Sequence, residues 1–273
     1  MTIGYLLGVS ELLQAGFELG CLIGRGASAD VWLAHDARSG RDIAVKILAN
    51  LGPSAAKDDS DRHFMEEARM LHKLRHPHII RAHTIGRLAD GRPFYTLDYA
   101  PLGTLRDYLR LCGPLSLQES FDIVASIGSA LALLHRRGMV HRDVKTTNVL
   151  MLDDSLWPRP VLSDLGLTRS VDGDFTRGGG TWGFAAPEQL RGDPPAPSAD
   201  IYSLAMVTIE LLVGMNWSCD GGDCLAESIG RVLAASTAED PLVRPATVDA
   251  FVSQIREAWS GVSTSVVLSL SVN

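Results

Sequence analysis

The stretch His141-Arg142-Asp143-Val144-Lys145-Thr146-Thr147-Asn148 puts a carboxylate, an amine and a carboxamide on one short segment. That is the equipment phosphoryl transfer requires. Asp143 can orient an attacking hydroxyl and accept its proton. Asn148, five residues on, can hold a metal ion that bridges phosphate oxygens, and Lys145 can neutralise charge on the group in transit. A short polar loop alone proves little, so the weight falls on what accompanies it.

Four other segments could serve the same chemistry. In Ile23-Gly24-Arg25-Gly26-Ala27-Ser28-Ala29-Asp30-Val31, Gly24 and Gly26 let a tight hairpin bring backbone N–H groups close to a triphosphate, although any hairpin could use them. Ile43-Ala44-Val45-Lys46 ends an apolar strand on a lysine; Ala44 and Lys46 share one face, where a small residue suits a flat base and an amine suits phosphates. The bland alternative is a strand-end lysine reaching water. Glu67 on the following helix is the expected partner of Lys46, with Glu66 as its rival. Asp164 follows an apolar run and precedes Leu165-Gly166, which places it to bind Mg²⁺, although a simple turn reads the same way. Finally, Ala186-Pro187-Glu188 and Arg244-Pro245 offer a structural pair, since a buried glutamate needs a cation and arginine is a bidentate one.

These groups must be held by elements that the pattern outlines. Residues 17–23, 30–35 and 42–48 read as short strands separated by glycine or polar turns. Residues 50–61 read as a loop, and from Arg62 the period becomes helical through Phe64, Ala68, Leu71 and Leu74, ending at His76-Pro77. Residues 79–85 and 93–99 read as two more strands joined at Asp90-Gly91, which makes a five-stranded sheet with one helix. Residues 100–103 suggest a hinge. Beyond it Leu117, Phe121, Val124, Ile127, Leu131 and Leu134 form a long helical stripe ending near Gly138. Strands at 149–152 and 161–163 flank the chemistry, a glycine-rich loop spans 172–183, and a helix starts near Ala199. Residues 260–273, with serine alternating with valine and leucine, read as a strand or a frayed tail.

Composition sets the bounds. A chain of 273 residues, 46% hydrophobic and 21% charged, has ample core material for one large domain or two lobes. A net charge of -7 gives no support for nucleic-acid binding. No segment reaches the ~20 uninterrupted apolar residues of a membrane span; residues 201–213, broken by Ser203, Thr208 and Glu210, read as a buried helix. The first residues lack the basic start of a signal peptide, which favours a cytoplasmic, reducing setting. Four cysteines do not make a disulfide framework, and Cys219 and Cys224 have no second Cys or His pair at zinc spacing.

In their order and distances these segments resemble the signature set of protein kinases, and most closely the eukaryotic-like Ser/Thr protein kinases of bacteria. His76-Pro77-His78-Ile79 and Asp200-Ile201-Tyr202-Ser203-Leu204 are similar to that family too. The resemblance implies an α+β, two-lobed protein kinase fold: a small antiparallel β-sheet lobe with one main helix, and a mainly helical second lobe. It implies a catalytic domain over residues 1–259, with lobes at roughly 14–100 and 101–259, and a tail at 260–273. It implies that Ile23, Val31, Ala44 and Leu150 contact ATP, that Asp98, Tyr99 and Ala100 form the hinge that hydrogen-bonds adenine, and that Leu97 is the gatekeeper. Lys145 with Thr181 resembles Ser/Thr rather than tyrosine specificity, and Arg142 before Asp143 resembles kinases whose activation loop is ordered by a phosphate.

Within that loop Thr176 is the candidate phosphosite, with Thr168 and Ser170 as rivals and Arg177 as a local partner for the phosphate. Three departures stand out: Ala29 at the third glycine position, Leu165 where phenylalanine is usual, and a shortened stretch from 214 to 240 that leaves little for one helix used in docking. The resulting expectation is a Ser/Thr protein kinase using ATP and Mg²⁺. Its partners are protein substrates, and two copies pair transiently to phosphorylate each other. A pseudokinase or nucleotide-binding signalling module without turnover is the alternative, and a small-molecule phosphotransferase is a further one.

Overall fold

Alternation along β3 (Arg41–Leu48) decides the architecture of the first part of the chain. Ile43, Val45 and Ile47 fall on one face and join Phe17, Ala34, Leu88 and Phe94 in an apolar cluster edged by Leu19 and Trp32. Lys46 lies on the other face. In this computed structural model, which describes residues 16–26, 28–49, 55–153, 157–165, 169–170, 181–213 and 223–270, the chain divides into two units, Met1–Pro101 and Leu102–Asn273.

The first unit holds β1 (Phe17–Arg25), β2 (Ala29–Asp36), β3, β4 (Ala82–Arg87) and β5 (Pro93–Asp98) in the order β1-β2-β3-β5-β4. Every neighbouring pair is antiparallel. Helix α1 (Ala55–Lys73) packs on β4 and β5 through buried Phe64, Ala68, Leu71 and Leu74.

Two boundaries differ from the pattern reading. The helix begins at Ala55, inside the segment expected as a loop. Its first turns carry no apolar period, yet the alanines at its start favour helix. The fourth strand begins at Ala82 instead of Ile79, because the amides of His78 and Ile79 turn back to the Nδ1 and carbonyl of His76 and are lost to the sheet ladder.

The second unit is mainly helical: α2 (Leu105–Cys112), α3 (Leu117–Arg136), α4 (Pro187–Arg191), α5 (Pro197–Val213), α6 (Asp223–Ser236) and α7 (Val248–Leu270). Capping boxes start the first two, Thr104 with Asp107 and Ser116 with Glu119. Short strands β6 (Met139–Val140) and β9 (Arg169–Ser170) pair with each other, as do β7 (Val149–Leu152) and β8 (Arg159–Leu162). Residues 260–270 continue α7 where a strand or frayed tail was expected. Extending an existing helix adds a hydrogen bond per residue without a new nucleation cost, and this overrides the alternating pattern.

Among the described residues α3, not residues 201–213, is the one helix long and apolar enough to cross a membrane by length and hydropathy. Ile123, Val124, Ile127, Leu131 and Leu134 are fully covered, and α3 packs on α5 and α7, so it is the core helix of this unit.

Gly128 lies where α3 and α7 approach closely, since a Cβ there would stand 2.5 Å from Val252 Cγ2. Alanine in a helix ordinarily gains about 0.5–1 kcal/mol over glycine. Overpacking against a stiff β-branched side chain costs about 1–3 kcal/mol. Gly128→Ala is therefore expected to lower the unfolding free energy by about 1 kcal/mol, and adding Val252→Ala should restore part of it in denaturant titration.

Candidate active site

In the small unit the apolar stripe of α1 runs through Phe64, Ala68 and Leu71, and Glu67 occupies a place on that stripe. Its carboxylate is 6% exposed and needs a cation. Lys46 supplies it, with Nζ donating to Oε1 at 2.9 Å and to Oε2 at 3.2 Å. Glu66 is exposed. Lys46 Nζ also stands 5.6 Å from the ring centroid of Tyr95, whose ring lies 4.9 Å from that of Phe64.

The β1–β2 hairpin pairs Gly24 with Val31 and Arg25 with Asp30. The Gly26 amide donates to the Ala29 carbonyl at 2.9 Å, which closes the turn. A Cβ at Gly26 would come within 3.2 Å of that carbonyl oxygen, a tight contact that the turn would have to relax to accept. Ile23 is exposed, Val31 half-buried and Ala44 buried. Asp98 holds His83 Nε2 at 2.6 Å, and its amide donates to the Arg81 carbonyl. Asp98, Tyr99 and Ala100 are half-buried and Leu97 is buried.

In the large unit one buried carboxylate organises the segment 141–148. Asp200 on α5 has no exposed surface. Its Oδ2 accepts from the His141 amide and its Oδ1 from the Arg142 amide, both at 2.8 Å. His135 Nε2, at the end of α3, lies 2.8 Å from Oδ2. Burial pushes the Asp200 carboxyl up, but the His135 hydrogen bond, the nearby histidine charges and the Arg142 amide hold it below the usual aspartate value. Arg142 sits at φ 72°, a strained conformation for a side-chain-bearing residue. It is pinned on its far side by Gln189 Nε2, which donates to its carbonyl at 2.9 Å.

Asp143 follows directly and is saturated with donors. Its Oδ1 accepts from Thr181 Oγ1 at 2.8 Å, and its Oδ2 from Lys145 Nζ at 2.7 Å and Asn148 Nδ2 at 2.9 Å. Lys145 also donates to Thr181 Oγ1 at 2.6 Å. The nitrogen end of Asn148 is bound to Asp143, so its carbonyl oxygen is the end it can offer a ligand. The Asn148 backbone carbonyl accepts from the amide and hydroxyl of Ser163, which ties it to the neighbour of Asp164. Asp164 is exposed at φ 58°, and Leu165 beside it is buried. Leu150 on β7 is half-buried and bridges to Thr104.

Arg244 and Glu188 form a bidentate pair at 2.6 and 2.9 Å, with side chains 0% and 6% exposed. Arg244 also donates to the carbonyls of Ala238 and Ser198 and stacks 5.1 Å from the Tyr202 ring centroid. The expected phosphosite Thr176, its rivals' side chains, Arg177 and the side chains of Cys219 and Cys224 lie outside the described residues. Arg142 itself is 2% exposed.

Four contributors escaped the sequence reading. His135 looks like an ordinary basic residue in a last helical turn, and Gln189 like part of a short helix. Thr146 donates to Glu210 Oε2 at 3.0 Å, which ties the loop to α5. Tyr95 reads as one more aromatic of a buried strand.

A small antiparallel sheet carrying a lysine–glutamate pair, and a helical unit carrying this aspartate-centred loop, define a protein kinase. The chain belongs to the protein kinase family, whose protein kinase domain model matches residues 17–242. It is 37% identical over 209 residues to the serine/threonine-protein kinase PknK of Mycobacterium bovis, covering 75% of this chain and 18% of that protein. It is 34% identical over 211 residues to the serine/threonine-protein kinase PknB of Mycobacterium leprae, covering 74% of this chain and 33% of that protein. The chain thus spans 18% to 33% of the length of these relatives.

Removal of Arg244 leaves Glu188 as an unpaired buried charge, which costs about 3–5 kcal/mol. Arg244→Ala is expected to melt far below wild type. Arg244→Lys, which cannot reproduce the bidentate fork, should fall between the two in the same calorimetric scan.

Proposed function

We propose that this chain transfers the γ-phosphoryl group of ATP to serine and threonine hydroxyls of proteins, its own copies included, in the cytoplasm. The observation that carries the reading is the donor network on Asp143. Lys145, Thr181 and Asn148 hold its carboxylate in one orientation beside a position for a hydroxyl. In the proposed step the substrate hydroxyl oxygen bonds to the γ-phosphorus while the bond to the β–γ bridging oxygen breaks. The hydroxyl proton passes to Asp143, ADP leaves, and Lys145 offsets charge on the moving group. Lys46, held by Glu67, serves the phosphates of the nucleotide.

The donor chemistry suits Mg²⁺. Asn148 and Asp164 offer a carbonyl and a carboxylate oxygen, both hard ligands. Among the described residues no cluster of three or more His, Cys, Asp or Glu could hold a metal ion. When bound there, Mg²⁺ would neutralise charge on the phosphates. The Lys145–Thr181 hydrogen bond supports a Ser/Thr preference, in line with the names of both relatives.

Incubation with labelled ATP, Mg²⁺ and a generic basic protein tests the reading. Acid-stable label on serine or threonine is expected. Nucleotide binding without transfer would make the chain a signalling module that has lost turnover.

Variants separate the roles. Lys46→Met should lower transfer at least ~100-fold, the scale of one preorganised electrostatic contact. Asp143→Asn should abolish turnover yet leave the ATP-induced rise in melting temperature intact, whereas Asp164→Asn should lose the Mg²⁺-dependent part of that rise. Equal loss of nucleotide binding in both would contradict the assignment.

A further inference from the structure

Tyr95 is a buried titratable group beside the Lys46–Glu67 pair that the proposed reaction does not use. It stands directly opposite Lys46 across the β3–β5 register, so both side chains share a face. The residue is completely covered, and its hydroxyl lies close to Lys46 and Glu67 without forming a hydrogen bond of good geometry to either. A buried hydroxyl without a partner is unfavourable, and a phenylalanine would pack in the same space without that burden.

The pair beside it has a complementary weakness. Glu67 takes both of its hydrogen bonds with Lys46 from one ammonium group, one of them already longer than the other. When phosphate oxygens compete for that ammonium, a carboxylate oxygen of a 6% exposed glutamate loses its donor. A desolvated carboxylate in that position requires a replacement.

We propose that Tyr95 is a positioning residue for nucleotide binding, its hydroxyl donating to Glu67 when Lys46 turns toward the phosphates. The phenol is fit for the role at any working pH. Burial pushes its pKa far above the ordinary tyrosine value and the Glu67 charge adds to this, while the Lys46 charge only partly opposes them, so the O–H stays on. The ring, seated between Phe64 and Lys46, holds the hydroxyl within electrostatic reach of both ions. The resting state thus keeps an unsatisfied donor that the nucleotide-bound state satisfies.

This inference rests on Lys46 serving the phosphates, and its test separates the two. Mg-ADP is titrated calorimetrically into wild type, Tyr95→Phe, Glu67→Gln, the double variant and Lys46→Met, with melting temperatures recorded without nucleotide. Tyr95→Phe should melt at or above wild type, since it removes an unsatisfied buried hydroxyl, yet bind Mg-ADP about tenfold more weakly, the scale of one hydrogen bond to a charged group. In the Glu67→Gln background the same change should have little effect, because the two act through one contact. A purely structural tyrosine would lower melting and leave affinity alone, and that result overturns the proposal. So does an equal affinity loss on both backgrounds. If Lys46→Met binds as wild type does, the phosphate role of Lys46 fails and the proposal falls with it. If Lys46→Met is weak while Tyr95→Phe is normal, the proposal alone fails.

Discussion

Asp200 has no contact with solvent, yet its two carboxylate oxygens hold the amides of His141 and Arg142, the residues leading into Asp143. Hydrogen bonds to a charged group contribute about 1.5–3 kcal/mol each, roughly twice the neutral value. That strength matters because Arg142 is held at φ 72°, a conformation that must be over-determined by its surroundings to persist. Asp200 on α5 and Gln189 on α4 grip this residue from its amide and carbonyl sides. The direction in which Asp143 leaves the loop follows from that grip, and so does the meeting of Lys145, Thr181 and Asn148 on its carboxylate.

The small unit solves a different problem with the same device. Lys46 is useful to a phosphate only if its ammonium is held in place, and a strand-end lysine left alone would reach for water. Placing Glu67 on the apolar stripe of α1 gives the ammonium a buried counter-charge and gives the glutamate its only economical environment. Glu188 and Arg244 repeat the pattern with a purely architectural result, fixing α4 to the chain after α6. In each case a buried ion has one geometry in which it is satisfied, and that geometry sets the register of the elements around it.

How much of this the sequence revealed depended on whether a feature was local. Lys46, Asp143, Asn148 and Asp164 stand next to apolar strands or turn residues that announce them, and Phe64, Ala68 and Leu71 set the phase that turns Glu67 inward while Glu66 faces out. The alternation of β3 located the small core. Other features were written in spatial rather than sequential neighbours. His135 and Gln189 meet residues brought to them by packing, and Thr146 meets Glu210 from 64 positions away. The hydroxyl of Tyr95 lies near Lys46 and Glu67 only because β3 pairs with β5 and α1 packs beside them. The early start of α1 and the continuation of α7 to Leu270 were hidden for another reason, since helix extension needs no apolar period once a neighbouring turn has formed. Gly26 was read for its freedom, but its amide closes the hairpin on Ala29.

Amide hydrogen exchange at His141 and Arg142 tests most directly whether Asp200 governs the catalytic loop. These two amides are bonded to a carboxylate inside the helical core, so they should exchange only when that core opens, at rates matching the slowest amides of α3 and α5. Asp200→Asn should accelerate both while the α3 amides distant from the loop stay protected. Rapid exchange at residues 141 and 142 in the wild-type protein would contradict the account, for the loop would then be held by something other than this carboxylate.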